Sequence, residues 1–220
     1  MRGKSENSSG KFFSYLSLNT WLIIVNVFVF IVFTILMSTE ILSIDAVAIK
    51  PSNILQGKCL WTFITSMFMH GGFFHLFVNM LSLMFVGSLA ERLIGRKRYF
   101  WFYIFAGIFA GLLFVLSAVI FPQDINTYAV GASGALFGVV GLLMLLTPNL
   151  PVYIMFIPIP VKLKYAAPGI LILLWIISIA GNVPIGNMAH LGGLLAGIFY
   201  GIFLRKKYRR KTNYIRKYFV

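Results

Sequence analysis

Between Tyr99 and Phe121 the chain reads YFWFYIFAGIFAGLLFVLSAVIF, without one charged residue. A helix needs about 20 predominantly apolar residues to cross a hydrocarbon core of about 30 Å, and this run exceeds that length. Arg96, Lys97 and Arg98 bound it on one side and Pro122 on the other. Working outward, five more uncharged stretches approach or meet the same length: residues 21–37, 71–90, 129–147, 165–181 and 183–204. The first could pass for a signal-peptide core, but it runs into Ser38-Thr39-Glu40-Ile41 without a small-x-small cleavage site and reads as a retained span. Two shorter apolar runs, 60–69 and 150–159, are too short to cross. The second is broken by Pro151, Pro158 and Pro160 and reads as an extended interfacial loop.

The expected fold is therefore an all-α polytopic membrane bundle of six transmembrane helices. The domain plan is a cytoplasmic N-terminal segment over 1–19, the helical domain over 20–204 and a basic tail over 205–220. Composition agrees, since 60% of the 220 residues are hydrophobic and 11% charged. Soluble domains carry about 45–50% apolar and about 25% charged residues. The single cysteine, Cys59, excludes an internal disulfide.

A formal charge of +14 could signal nucleic acid, but its distribution says otherwise. With the N-terminus inside, 17 of the 19 basic residues fall in inside segments: Arg2, Lys4, Lys11, Arg92, Arg96, Lys97, Arg98, Lys162, Lys164 and the eight after Leu204. Only Lys50 and Lys58 lie outside, with Glu40, Asp45 and Asp124. This bias orients the chain with both termini cytoplasmic, and no nucleic-acid partner is implied. The tail from Arg205 to Lys217 reads equally as a stop signal or as a contact with anionic lipid heads.

With that orientation, the second, fourth and sixth spans all run inward. Their first turns share one layer, and His75, Asn79, Ser133 and His190 occupy it. Ionisable groups inside a membrane are costly and point to function. His75 and Asn79, four apart, share a helical face. Ser133 lies in Gly131-Ala132-Ser133-Gly134-Ala135-Leu136-Phe137-Gly138, at the mouth of a helix where free N–H groups and the helix dipole favour an oxyanion. Ala135 after Gly134 excludes the GxSxG elbow. Gly134 with Gly138, and Gly193 with Gly197, form small-xxx-small faces that bring the fourth and sixth spans close enough for a Ser–His hydrogen bond. Ser133 is read as the nucleophile and His190 as its general base, with Phe137 as the platform for the imidazole. No carboxylate lies in the outer part of any span, so the site is a dyad.

Three separated patterns, His75-x-x-x-Asn79, Gly131-x-Ser133-Gly134-x-x-x-Gly138 and Ala189-His190-x-x-Gly193-x-x-x-Gly197, together make the chain resemble the rhomboid family of intramembrane serine proteases. The resemblance covers about Trp21 to Leu204. It implies that Ser133 and His190 are catalytic, and that His75, Asn79 and the Ser133 backbone N–H stabilise the oxyanion. His70, in Met69-His70-Gly71-Gly72, is similar to the family's histidine in the first outer loop, and Glu91-x-x-x-Gly95 to its acidic-x-x-x-Gly segment. One departure is Trp61-Thr62, where many members carry Trp–Arg. The implied activity is serine endopeptidase cleavage of transmembrane protein substrates near the extracytoplasmic face, without cofactor or metal, in a plasma membrane of bacterial or archaeal type. Oligomeric state stays open. Alternatives are a catalytically silent relative that binds transmembrane helices, and a metal site built from His70, His75 and His190. The five-residue spacing of the first two argues against a helical zinc pair.

Overall fold

A computed structural model describes residues 16–154, 159–181 and 185–219. Arg2, Lys4 and Lys11, most of the expected N-terminal segment, Pro158 and the start of the sixth apolar stretch lie outside these residues. The chain order is α1 (Leu18–Ser38), a connecting segment holding the short helices α2 (Pro51–Leu55) and α3 (Thr62–Thr65), then α4 (Phe73–Ile94), α5 (Arg96–Ile120) and α6 (Ser133–Leu146). After α6 a two-residue antiparallel pair, β1 (Pro151–Val152) with β2 (Val161–Lys162), leads to α7 (Leu163–Gly181), α8 (Asn187–Lys207) and α9 (Arg209–Tyr218).

Helices α1, α4, α5, α7 and α8 are long and apolar enough to cross a membrane, so the chain is an all-α polytopic membrane protein. The fourth stretch differs from expectation. Its helix is 14 residues long and starts at Ser133 rather than at Ala129. At 1.5 Å per residue it spans about 21 Å, short of a full hydrocarbon core. Irregular backbone within a membrane protein's bundle is tolerated only where other protein groups satisfy it. The segment between α1 and α4 does this: Ala129 and Ile49 exchange N–H···O bonds of 2.9 and 3.0 Å, Gly131 N donates to Ser66 O at 2.8 Å, and Ala132 N reaches His70 Nε2 at 3.4 Å.

Helix α5 is the central post, and its alternating small residues explain why. Ala106 and Ala110 receive Gly138 and Gly134 of α6, where a Cβ on either glycine would lie 2.5 or 2.7 Å from the alanine methyl. One position on, Gly107 and Gly111 admit the segment between α1 and α4, through Met67 and through Ile49 and Phe63. The run that reads as a uniform apolar span is thus divided between two partners by its AG-x-x-AG spacing.

At the opposite end, α4 widens into a π turn over Leu83–Gly87. Such a turn frees a carbonyl, and Asn19 Nδ2 donates to Leu83 O at 2.7 Å while Tyr99 Oη donates to Asn19 Oδ1 at 2.7 Å. Glu91 accepts from the N–H groups of Leu18 and Asn19 at 2.9 and 2.7 Å, capping α1 with a carboxylate where the helix dipole favours it. The basic tail is itself structured: α8 continues through Lys207, the chain bends at Tyr208, and α9 packs back with Thr212 buried.

Candidate active site

Helices α4, α6 and α8 begin at the same end of the bundle, and each delivers a polar side chain from its first turn. Ser133 is the first residue of α6, His75 the third of α4 and His190 the fourth of α8. Ser133 Oγ lies 2.8 Å from His190 Nε2. Both sit in a hydrogen bond that joins two helices, which requires their backbones to run unusually close.

Glycine supplies that closeness, in a form that differs from the pairing of two glycine faces. On α8, a Cβ at Gly193 would collide with the carbonyl oxygen of Gly134, and one at Gly197 with that of Gly138. The α8 glycines therefore rest directly on α6 backbone. Gly134 and Gly138 mainly turn their own open sides to α5, and Gly141, not singled out from the sequence, faces Leu194 instead.

The imidazole of His190 is held by packing. Phe137, one turn along α6 from Ser133, stacks on it with ring centroids 4.7 Å apart and planes inclined by 24°. His190 Nδ1 is buried with no hydrogen-bond partner among the described residues, so no third polar group orients the ring. In the tautomer that carries its proton on Nδ1, Nε2 is free to accept the Ser133 hydroxyl proton.

His75 enters beside the same serine. Gly131 has φ of +119°, a conformation side chains rarely adopt, and a Cβ there would lie 2.8 Å from both Cε1 and Nε2 of His75 and 3.7 Å from Ser133 Oγ. Gly131 is thus the notch that lets the His75 ring approach Ser133. Gly71 N donates to His75 Nδ1 at 3.3 Å, which leaves the neutral ring with its proton on Nε2, the atom beside that notch. Asn79 is buried, and its Nδ2 donates to His75 O at 2.8 Å. The amide keeps a second N–H beyond that bond. The first N–H groups of α6, Ser133's among them, lack intrahelical partners and point out of the helix mouth.

His70 lies just before α4, its ring 5.2 Å from that of His75 and 6.3 Å from Phe30, fully buried. Burial first, and the neighbouring His75 second, push it down to about 4, so it is neutral at pH 7 and can accept from the Ala132 N–H. Its place is to fix the backbone entering the Ser133 turn. Gly134 sits in the packing seam with α5. Thr62, at the departure from the Trp–Arg pair, is buried and donates to Cys59 O at 2.7 Å, while the Trp61 indole donates to Ala46 O at 2.9 Å. No group of three or more His, Cys, Asp or Glu side chains suited to a metal occurs among the described residues.

Residues 57–207 match the Rhomboid domain model, which covers more than half of the chain. RHOMBOID-like protein 5 of Arabidopsis thaliana is 36% identical over 153 residues, 67% of this chain and 46% of that protein. Rhomboid protein 1, mitochondrial, of Saccharomyces cerevisiae is 30% identical over 165 residues, 68% of this chain and 43% of its own. A further Arabidopsis thaliana relative, Inactive RHOMBOID-like protein 8, is 33% identical over 140 residues, 62% of this chain and 36% of its own. The chain spans less than half the length of these curated relatives. With the helical plan and the match over residues 57–207 taken together, the chain belongs to the rhomboid family.

Proposed function

We propose that the chain is an intramembrane serine endopeptidase that cleaves transmembrane segments of membrane proteins near the extracytoplasmic face. The observation that carries this reading is the 2.8 Å contact of Ser133 Oγ with His190 Nε2 across the α6–α8 seam. Ser133 Oγ attacks the scissile carbonyl carbon as its proton passes to His190 Nε2. The tetrahedral oxyanion accepts hydrogen bonds from the Ser133 N–H, His75 Nε2–H and the second Asn79 amide N–H. Collapse breaks the C–N bond, the leaving amine takes the proton from His190, and water then hydrolyses the acyl-enzyme by the same route in reverse.

Helix α7 is the proposed lateral entry. Its buried residues, Leu163, Ala166, Ala167 and Leu171, all lie in its first half, and nothing from Ile172 to Gly181 is buried. It is anchored at one end and loosely held at the end where α6 and α8 begin. Pro168 lies within the anchored half. The orientation proposed, with both termini cytoplasmic in a plasma membrane, rests on the placement of 17 of 19 basic residues on one side.

A silent relative is the second reading, supported by one named inactive at 33% identity. Labelling by a fluorophosphonate separates the two. The endopeptidase reading expects covalent labelling that Ser133→Ala and His190→Ala abolish and that chelators leave unchanged. A wild-type protein that neither labels nor cleaves a single-span substrate refutes it.

A further inference from the structure

On the side of the bundle formed by α5 and α8, away from α4 and α7, a groove of about 770 Å³ runs between the two helices. Its floor is the stacked pair Phe102–Tyr200, with centroids 4.8 Å apart and planes inclined by 15°. Its walls are the exposed faces of Trp101, Phe105, Phe109, Leu112 and Phe199. The α5 wall follows i, i+4 spacing and its next turn, and from Lys97 to Leu112 it rises by about 22 Å, more than the half-thickness of about 15 Å of a hydrocarbon core. The groove is thus as deep as one leaflet.

One end of it is cationic. Lys97 and Arg98 line the groove at the start of α5, whose first turn holds no acidic residue. Neither charge pairs with a carboxylate among the described residues. Arg98 is held in place by a neutral partner instead: its Nη2 donates to Tyr208 Oη at 3.0 Å and its guanidinium lies 4.9 Å from the Tyr208 ring centre. A guanidinium fixed by an aromatic and left without an anion is prepared for a phosphate.

We propose that this groove is a binding site for one anionic phospholipid, with its phosphate on Lys97 and Arg98 and an acyl chain lying along the groove between α5 and α8. Basic pockets between transmembrane helices at the level of the head groups have this chemistry. A second copy of the chain is the poorer occupant, because two copies inserted in the same sense bring like charges, Lys97 and Arg98, to the same depth. The site is on a different face from Ser133 and does not depend on the protease reading.

The test uses the full chain in detergent, titrated with phosphatidylglycerol or with phosphatidylcholine of the same acyl chains and read by native mass spectrometry. Phosphatidylglycerol is expected to bind at one saturable site in preference to phosphatidylcholine. The exposed double substitution Lys97→Gln/Arg98→Gln is expected to weaken it by about 30-fold. Ala196→Trp, which fills the groove while leaving both charges, is expected to remove the saturable site. Helical circular dichroism reports that each variant is folded. Equal retention of both lipids, or phosphatidylglycerol binding that survives the double substitution, overturns the proposal. So does a dimer that Ala196→Trp abolishes without lipid present.

Discussion

Gly193 lies three residues beyond His190 on α8, and its α-carbon rests against the carbonyl of Gly134, the residue after Ser133. Adding one methyl there, as Gly193→Ala, places a Cβ inside contact distance of Gly134 O. Non-bonded heavy atoms settle at about 3.5 Å, so α8 must retreat from α6 by about 1 Å or more near this point. The Ser133–His190 contact, now 2.8 Å, then opens beyond hydrogen-bond range. A displacement of that size in reacting groups costs about 100-fold in rate. The assay is the second-order rate of fluorophosphonate labelling on monodisperse protein, with kcat/KM on a single-span substrate beside it. Both are expected to fall together by about 100-fold while helical content is retained. Gly197→Ala, one turn further from His190, should cost less. A Gly193→Ala protein that labels within threefold of wild type would show that the seam does not set the dyad distance, and the reasoning would fail.

The oxyanion side gives a separate expectation. Gly131→Ala forces a side chain into φ of +119° and toward the His75 ring, so turnover should drop by about 100- to 1,000-fold, and a drop under tenfold would deny His75 its role. Phe137→Leu keeps apolar volume but removes the stack on His190; an aromatic pair is worth about 0.5–1.5 kcal/mol, so kcat should fall by about two- to tenfold with KM steady. An unchanged kcat would make Phe137 ordinary packing. Far from the site, Glu91→Gln removes the charge that caps α1 through Leu18 and Asn19, which should lower thermal stability by about 1 kcal/mol, or about 2–4 °C, without altering kcat of the folded protein. A loss of kcat at constant stability would place Glu91 in a path to the site.

The layer that holds His75, Ser133 and His190 was legible in the sequence because hydropathy gives the spans and every second span must run the same way. Three helices that run the same way must then bring their first turns to one depth. The late start of α6 was not legible. Residues 129–132 are as apolar as the helix that follows, and hydrogen bonds to Ile49, Ser66 and His70 from a distant segment keep them out of it. The direction of each glycine was hidden for a similar reason. Spacing puts Gly134 and Gly138 on one face, but the partner of that face, α5 rather than α8, depends on how three helices share a centre. The π turn in α4 and its Asn19–Tyr99 support join residues about 80 positions apart, and hydropathy carries no trace of such a bond. Gly131 was visible as a glycine before the serine, whereas its work, making room for the His75 ring, needed the coordinates of α4.

The dyad itself is tested most directly in proteoliposomes. Purified wild-type, Ser133→Ala and His190→Ala proteins, matched in helical content, are incubated with a single-span substrate, and the products are sized by mass spectrometry. The expected result is one cleavage within or beside the outward end of the substrate helix by the wild type alone, with fluorophosphonate mass found on Ser133. Cleavage that persists in Ser133→Ala, or label carried by another residue, would contradict the assignment of Ser133 and His190.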